Sequence, residues 1–272
     1  MTAPIASRSN PRVKQLRAAF AGHARLSGGL VAIEGEHLLF EAMRSGLAFK
    51  TMFISQSRVA PQWIPRGVEI MELTDDVFAS VVDTQSPQGI AALLVPPVWG
   101  MEDVFPLGRS PLLLIAAGLQ DPGNLGTLIR SAEAFSASAV LTTPGTVSEW
   151  NQKALRASAG SVFRAPVVGV TFAEVGALKS RGFHLFAAVA DDPLAERALP
   201  IAEANLTQPC ALMIGNEGAG LSEELLALAD TRITIPTPGR IESLNAAIAG
   251  SLLLYEASRQ RASGVPKAGP AV

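Results

Sequence analysis

Cysteine and histidine are almost absent from this chain of 272 residues, which has one cysteine, Cys210, and three scattered histidines, His23, His37 and His184. One thiol cannot close an internal disulfide, so the chain suits a reducing compartment, and a cytoplasmic protein is expected. Cys210 lies in the apolar run "CALMI", where the natural reading is a buried, inert thiol. No stretch spaces cysteine and histidine as a zinc site does, and no protein-ligated metal is expected. Long apolar runs are missing as well. The longest, "LLLIAAGL" at 112–119, falls far short of the ~20 residues of a membrane helix, so a soluble chain with no membrane partner is expected. The opening residues hold no apolar segment of signal-peptide type; they are basic and acid-free like a mitochondrial transit sequence, a likeness we take as coincidental. Two nucleotide fingerprints are also lacking. Without G-x-x-x-x-G-K-[ST] a Walker-type triphosphatase is disfavoured, and without G-x-G-x-x-G so is a dinucleotide-dependent oxidoreductase.

Acidic residues are missing from positions 1–29, which carry Arg8, Arg12, Lys14, Arg17 and Arg25, whereas the whole chain is formally -2. Such a cluster is either a footprint for phosphates or a solvated helix face, and by itself it does not decide between them.

Periodicity divides the chain in two. In the first part Ser9 or Asn10 can cap a helix with Pro11 at its first position, and Val13, Leu16 and Phe20 share one face. "LVAIEG", "MFIS", "VEIMEL" and "GIAALLV" read as strands with helices "EHLLFEAMRSG" and "DDVFASVVD" between them, predicting a small α/β domain over 1–97. The stretch 96–111, with four prolines and two glycines, breaks every period and reads as a linker, placed at 98–110. From 111 to 262 strands alternate with helices. The opening strand "LLLIAAG" is continuously apolar, as in a parallel sheet covered on both faces. The last helix is expected from about Asn245 to Arg261, with Leu244, Ile248, Leu252 and Tyr255 as an apolar stripe that reads as core. Residues 263–272 read as a flexible tail.

Three loops at strand ends of the second part carry the chemistry: "LQDPGNLGTLIR" (119–130), "IGNEGAGLSEE" (214–224) and "IPTPGRIESLN" (235–245). Loops at the carboxyl ends of strands are where open α/β sheets bind ligands. A lone glycine turn there would need no ligand to explain it. In order and spacing the three together resemble the motifs of the SpoU/TrmH family of RNA ribose 2'-O-methyltransferases, within the SPOUT superfamily. Asn124 and Arg130 match the first motif, "IGNEGAGLS" the second and "IPTPGRIESLNAAIA" the third. The third departs from the usual pattern in Thr237 after Pro236 and in Pro238 before the glycine, leaving Ser243 and Asn245 in place. The first hundred residues look like the ribosomal-protein-like RNA-binding domain that many members carry in front.

The resemblance implies a trefoil-knotted parallel sheet, S-adenosyl-L-methionine as cofactor, structured RNA as substrate (ribosomal RNA favoured over transfer RNA) and a homodimer built partly on the last helix. It implies cofactor contacts at Gly215, Asn216, Gly218, Ile235 and Leu244, and catalytic roles for Asn124, Arg130, Glu217, Ser243 and Asn245. Arg130 stands either as an unusually perturbed base or as a clamp that stabilises the developing oxyanion, since a guanidinium seldom gives up its proton. Asn124 would orient the ribose or Arg130, and Glu217 could hold the guanidinium; Asn124, Ser243 and Asn245 can each also be read as helix caps. A second acid-free stretch, "NQKALRASAGSVFRAP", adds Lys153, Arg156 and Arg164 as RNA contacts. A non-catalytic RNA-binding or ribosome-assembly factor on the same fold is the alternative.

Overall fold

The structure, a computed structural model, describes residues 3–23, 28–82, 84, 86–105, 110–190, 198–239, 241 and 243–263. Arg25, part of the 98–110 stretch and nearly all of the tail lie outside them. The chain forms two compact units, one from residues up to Val98 together with Trp150–Arg164, the other from Trp99–Glu149 and the residues from Ala165 onward.

In the first unit α1 (Pro11–Phe20) starts as the sequence predicts, with the Asn10 side chain accepting from the Arg12 amide and Pro11 in the first turn. It is followed by β1 (Val31–Glu34), α2 (Glu36–Arg44), β2 (Phe49–Ser55), β3 (Glu69–Leu73), α3 (Asp75–Ala79) and β4 (Ile90–Leu94). The four strands form a sheet in the order β1-β4-β2-β3, with β4 antiparallel to both neighbours and β2 parallel to β3. Val13 and Leu16 of α1 join Phe53, Phe78 and Leu93 in the core, as the helical spacing of α1 requires.

Residues 150–164 belong to this unit although they lie far along the chain. They form α5 (Gln152–Ser158), capped by Asn151, and a 3-10 turn (Ser161–Phe163). Gln152 donates to the Ala32 carbonyl at 2.9 Å, and Arg164 donates to Glu41 and Ser45, each across 3.0 Å. Gly160 has φ +90°, and a Cβ there would stand 2.8 Å from Glu41 Cβ, so this close approach requires glycine.

The second unit holds β5 (Leu112–Ala116), α4 (Pro122–Ala134), β6 (Ala139–Thr142), β7 (Val167–Gly169), α6 (Phe172–Ala177), β8 (His184–Ala188), β9 (Leu199–Pro200), β10 (Cys210–Ile214), α7 (Glu223–Leu228), β11 (Thr231–Thr234) and α8 (Ala246–Ser263). Its seven strands are ordered β7-β6-β5-β10-β8-β11-β9, and every pairing is parallel. β5 and β10 are buried at all five positions, the pattern expected of strands covered on both faces. The short edge strand β9 carries no apolar period and leaves no signal in the sequence. Trp99, Met101 and Phe105, within the stretch that reads as a linker, pack against the core of this unit.

α8 corrects one expectation. Its buried residues are Ala246, Ala247, Gly250, Leu253, Leu254 and Ala257, whereas Ile248, Leu252 and Tyr255 are exposed. The helix is apolar on two faces, so spacing alone does not say which turns inward. It packs closely on α4, where a Cβ at Gly250 would come within 2.4 Å of a Leu128 methyl and Ser131 and Ser251 share a 2.7 Å hydrogen bond. Its last turn is held by Arg261, which donates to the carbonyls of Leu206, Gln208 and Pro111 and to Cys210 Sγ. Burial pushes the Cys210 thiol up, consistent with an inert group. No helix among the described residues is long and apolar enough to cross a membrane.

Candidate active site

Because all strands of the second sheet run in parallel, the loops after β5, β8, β10 and β11 gather at one edge. There the residues just past β8 and the loops after β10 and β11 enclose a cavity of about 450 Å³, within the range of small-molecule sites. It is lined by Ala188–Ala190 at the end of β8 and just past it, by Ile214–Leu221, by Thr234, Ile235, Thr237, Ser243 and Leu244, and by Leu226, Ala249 and Leu253. All five residues expected at the cofactor, Gly215, Asn216, Gly218, Ile235 and Leu244, are among them, as are Glu217 and Ser243.

The loop after β10 folds back on itself. Asn216 and Gly220 exchange both backbone hydrogen bonds, at 3.0 and 2.9 Å. A Cβ on Gly215 would lie 2.1 Å from the Gly220 carbonyl carbon, so Gly215 is fixed by its own loop, and Gly220 is needed for its φ of +68°. The Asn216 side chain accepts from the amides of Gly218 and Ala219 and donates to the Gly118 carbonyl, joining this loop to the one after β5. Four of the loop amides, those of Asn216, Gly218, Ala219 and Gly220, are therefore satisfied internally. Gly118 in turn, at φ +64°, donates to Thr143 and Thr146.

A second chain of contacts joins all three motif loops. Asn124 Nδ2 donates to Glu217 Oε1 at 2.7 Å, and Asn245 Nδ2 donates to Asn124 Oδ1 at 3.1 Å. Asn245 Oδ1 accepts from the amides of Ala247 and Ile248, so Asn245 caps α8 while also holding Asn124. The caps are thereby assigned: α4 is capped by Asp121, which accepts from the Asn124 amide at 2.9 Å, and the Asn124 side chain is left for the network. Glu217 receives Asn124 rather than a guanidinium.

Arg130 stands apart. It is exposed, it does not line the cavity, and among the described residues it has no ion-pair partner. Six residues beyond Asn124, it is displaced by about 9 Å along α4 and by roughly 120° around it. Of the expected RNA contacts, Arg12 pairs with Glu69 at 3.0 Å and Arg164 with Glu41 at 3.0 Å, and Arg8 lies close enough to Asp76 to help hold that carboxylate down, after the larger effect of the Thr74 hydroxyl. Lys14 and Arg17 lie on α1, and Lys153 and Arg156 on α5. Sequence reasoning misses Ala188–Ala190, Leu226, Thr234 and Leu253 as cavity walls. Only the strand order, which sets β8 between β10 and β11, brings the first of these in, and the apolar "FAAVA" offers no signal of its own.

Residues 111–255 match the SpoU rRNA Methylase family, more than half of the chain. The chain belongs to this family. Residues 10–92 match the MRM3-like substrate binding domain. Among curated relatives, the 23S rRNA (guanosine(2553)-2'-O)-methyltransferase RlmP of Bacillus subtilis is 34% identical over 252 residues, covering 92% of this chain and 97% of the relative. The 23S rRNA (uridine(2479)-2'-O)-methyltransferase of Streptomyces viridochromogenes is 29% identical, covering 94% and 92%. Among solved structures, the SpoU methyltransferase AviRb from Streptomyces viridochromogenes in complex with AdoMet aligns with a TM-score of 0.81 at 28% identity, covering 94% of this chain and all of that one.

Proposed function

We propose that this SpoU-family protein methylates a ribose 2'-hydroxyl in ribosomal RNA with S-adenosylmethionine as methyl donor. The observation that carries the reading is the Glu217–Asn124–Asn245 network, which ties the three motif loops together beside a cavity large enough for the cofactor. Ribosomal RNA is favoured over transfer RNA by the two relatives, both acting on 23S rRNA, and their different target bases leave the base unassigned.

The cavity suits the cofactor on chemical grounds. Ile214, Leu226, Ile235, Leu244 and Leu253 offer apolar walls for a flat ring, and the backbone of three loops surrounds them. When bound, the cofactor supplies an electrophilic methyl group on a sulfonium. The protein's part is to place a ribose oxygen in line with it and to accept the charge growing on that oxygen. Asn124 is fixed at both ends of its amide, which suits it to hold a ribose or an RNA phosphate in one orientation. Ser243 adds a hydroxyl at the cavity wall. Arg130, exposed and without an ion-pair partner among the described residues, is suited to clamp RNA and to offset the developing negative charge; this position favours a clamp over a base inside the cavity.

Three finer readings belong with this one. The exposed stripe Ile248, Leu252 and Tyr255 on α8, with Tyr255 edge-on to Phe135, would be covered by a second copy in a homodimer. The order β5-β10-β8-β11, with α8 returning onto α4, suits the family's trefoil knot. The lone buried thiol suits the cytoplasm. Calorimetry with S-adenosylmethionine in the presence of EDTA tests the cofactor reading: saturable binding is expected, and no heat of binding by folded protein at millimolar ligand would overturn it.

A further inference from the structure

The turn after β6 lies outside the three motif loops, yet it holds the start of the first. Residues 143–146 close a turn through the Thr146 amide and the Thr143 carbonyl at 3.1 Å, with Gly145 at φ +87°. Proline followed by a glycine of positive φ at the centre is what a type II turn calls for. The turn brings two hydroxyls to one amide: Gly118 donates to Thr146 Oγ1 at 3.0 Å and to Thr143 Oγ1 at 3.2 Å. Thr146 Oγ1 also donates to the Ala116 carbonyl at 3.0 Å, so this hydroxyl bridges the residues on either side of Ala117. The Val147 amide adds a bond to the Leu119 carbonyl at 2.8 Å.

This clasp sits where the chain leaves the sheet. Ala117 still donates to the Ile214 carbonyl of β10 at 2.8 Å, but at Gly118 the backbone turns, with φ +64°, and the Gly118 carbonyl receives Asn216 Nδ2 at 2.9 Å. The Asn216 amide has one orientation that serves both of its ends. Its nitrogen faces the Gly118 carbonyl and its oxygen faces the amides of Gly218 and Ala219; turned round, it would set oxygen against oxygen and N–H against N–H. The setting of Gly118 therefore fixes the Asn216 side chain, and Asn216 shapes a loop that lines the cavity.

We propose that Thr146 is a positioning residue for methyl transfer, acting through Gly118 and Asn216 to hold the loop after β10 in the shape that receives the cofactor; this rests on the cofactor reading above. The role needs a group that donates and accepts at once, which a hydroxyl does and the similarly shaped valine does not. Because Thr143 stays beside the Gly118 amide, loss of the Thr146 hydroxyl loosens Gly118 without unpairing it, so function should change more than folding.

The test uses the full chain, with S-adenosylhomocysteine as the binding probe and steady-state methyl transfer to ribosomal RNA as the second readout. Thr146→Val should weaken the probe by about three- to tenfold, the scale of one neutral hydrogen bond, and raise KM for the methyl donor alike while KM for RNA stays within about twofold. Thr146→Ser should bind within about twofold of the unaltered protein, and where valine prevents folding Thr146→Ala carries the comparison. In Asn216→Ala, which has already lost the link to Gly118, adding Thr146→Val should change affinity by less than about twofold. Unaltered affinity in the variants lacking the hydroxyl, serine as weak as valine, equal rises in both KM values, or full additivity with Asn216→Ala would each overturn the role of Thr146 and leave the cofactor reading standing. Failure of the unaltered protein to bind the probe would remove the cofactor reading and this inference together.

Discussion

Asn245 donates to Asn124 across 3.1 Å while its own amide oxygen caps the last helix, so the start of α8 and the first turn of α4 share one side-chain contact. Glu217 completes the line by accepting from Asn124 at 2.7 Å. The direction of each bond is fixed, because Glu217 can only accept when ionised and Asn245 Oδ1 already faces backbone amides.

Asn124→Asp should therefore be far more damaging than its size suggests. It removes the donor to Glu217 and sets two carboxylates together, and a loss of about ten- to a hundredfold in methyl transfer is expected, as for a hydrogen bond to a charged group. Adding Glu217→Gln restores a donor between the two positions. Steady-state rates of the single and double variants check this; a double variant no better than Asn124→Asp alone would show that the contact is incidental.

Arg130→Ala should abolish transfer while leaving cofactor affinity nearly unchanged, because Arg130 lies off the cavity wall. Arg130→Lys should fail too, since a point ammonium does not reproduce a planar fork. Turnover near normal in either variant, measured on the native RNA beside calorimetry with the cofactor, would remove Arg130 from the reaction.

Much of this is legible in the sequence. The parallel sheet follows from the continuously apolar β5 and β10, and the three motif loops are visible as polar breaks at strand ends. Strand order is not legible, because nothing local in β8 or β10 says that β10 inserts between β5 and β8. For the same reason Ala188–Ala190 and Thr234 give no sign of being cavity residues. The loop glycines suggest room made for a ligand, yet Gly215 is demanded by Gly220 of its own loop, a contact that depends on how the loop closes. The basic front looks in sequence like five free charges. Residues distant along the chain supply partners, Glu69 for Arg12 above all.

That pairing sharpens the expectation for RNA binding. Neutralising Lys14 and Arg17 should lower the slope of log K against log salt by roughly 0.7 to 0.9 for each phosphate that is no longer neutralised. Neutralising Arg12 should change it less, because its charge is already met by Glu69. Titrations at several salt concentrations on variants shown to be folded decide this. An unaltered slope in the Lys14 and Arg17 variant would make α1 a solvated face and leave RNA contact to Lys153 and Arg156.

The exposed stripe on α8 gives a prediction about assembly. Leu252→Glu should convert a dimer to a monomer by burying a charge in the proposed interface, with little change in the secondary structure of the subunit. Light scattering after gel filtration reads the mass; a monomer in the unaltered protein, or an unperturbed dimer in the variant, would contradict it.

Asp230 offers a test of stability against pH. Burial works against its charge, but the Lys179 ammonium at 2.8 Å and the Leu185 amide at 2.8 Å outweigh this and hold its carboxyl below the ordinary 3.8. A carboxyl lowered in the folded state stabilises fully above the unfolded value and loses that contribution as pH falls through the folded value. Asp230→Asn should thus melt earlier than the unaltered protein near neutral pH, and the gap should narrow below about pH 4. A gap that stays constant down to about pH 3 would show that the charge is not what matters.

The most direct measurement supplies the purified protein with ribosomal RNA and S-adenosylmethionine carrying a labelled methyl group, then digests the RNA to nucleosides. The label should appear in a single 2'-O-methylnucleoside, at a site where the neighbouring phosphodiester has become resistant to alkali. Label on a base, or none in RNA from a strain lacking the protein, would contradict the assignment of ribose 2'-O-methyl transfer.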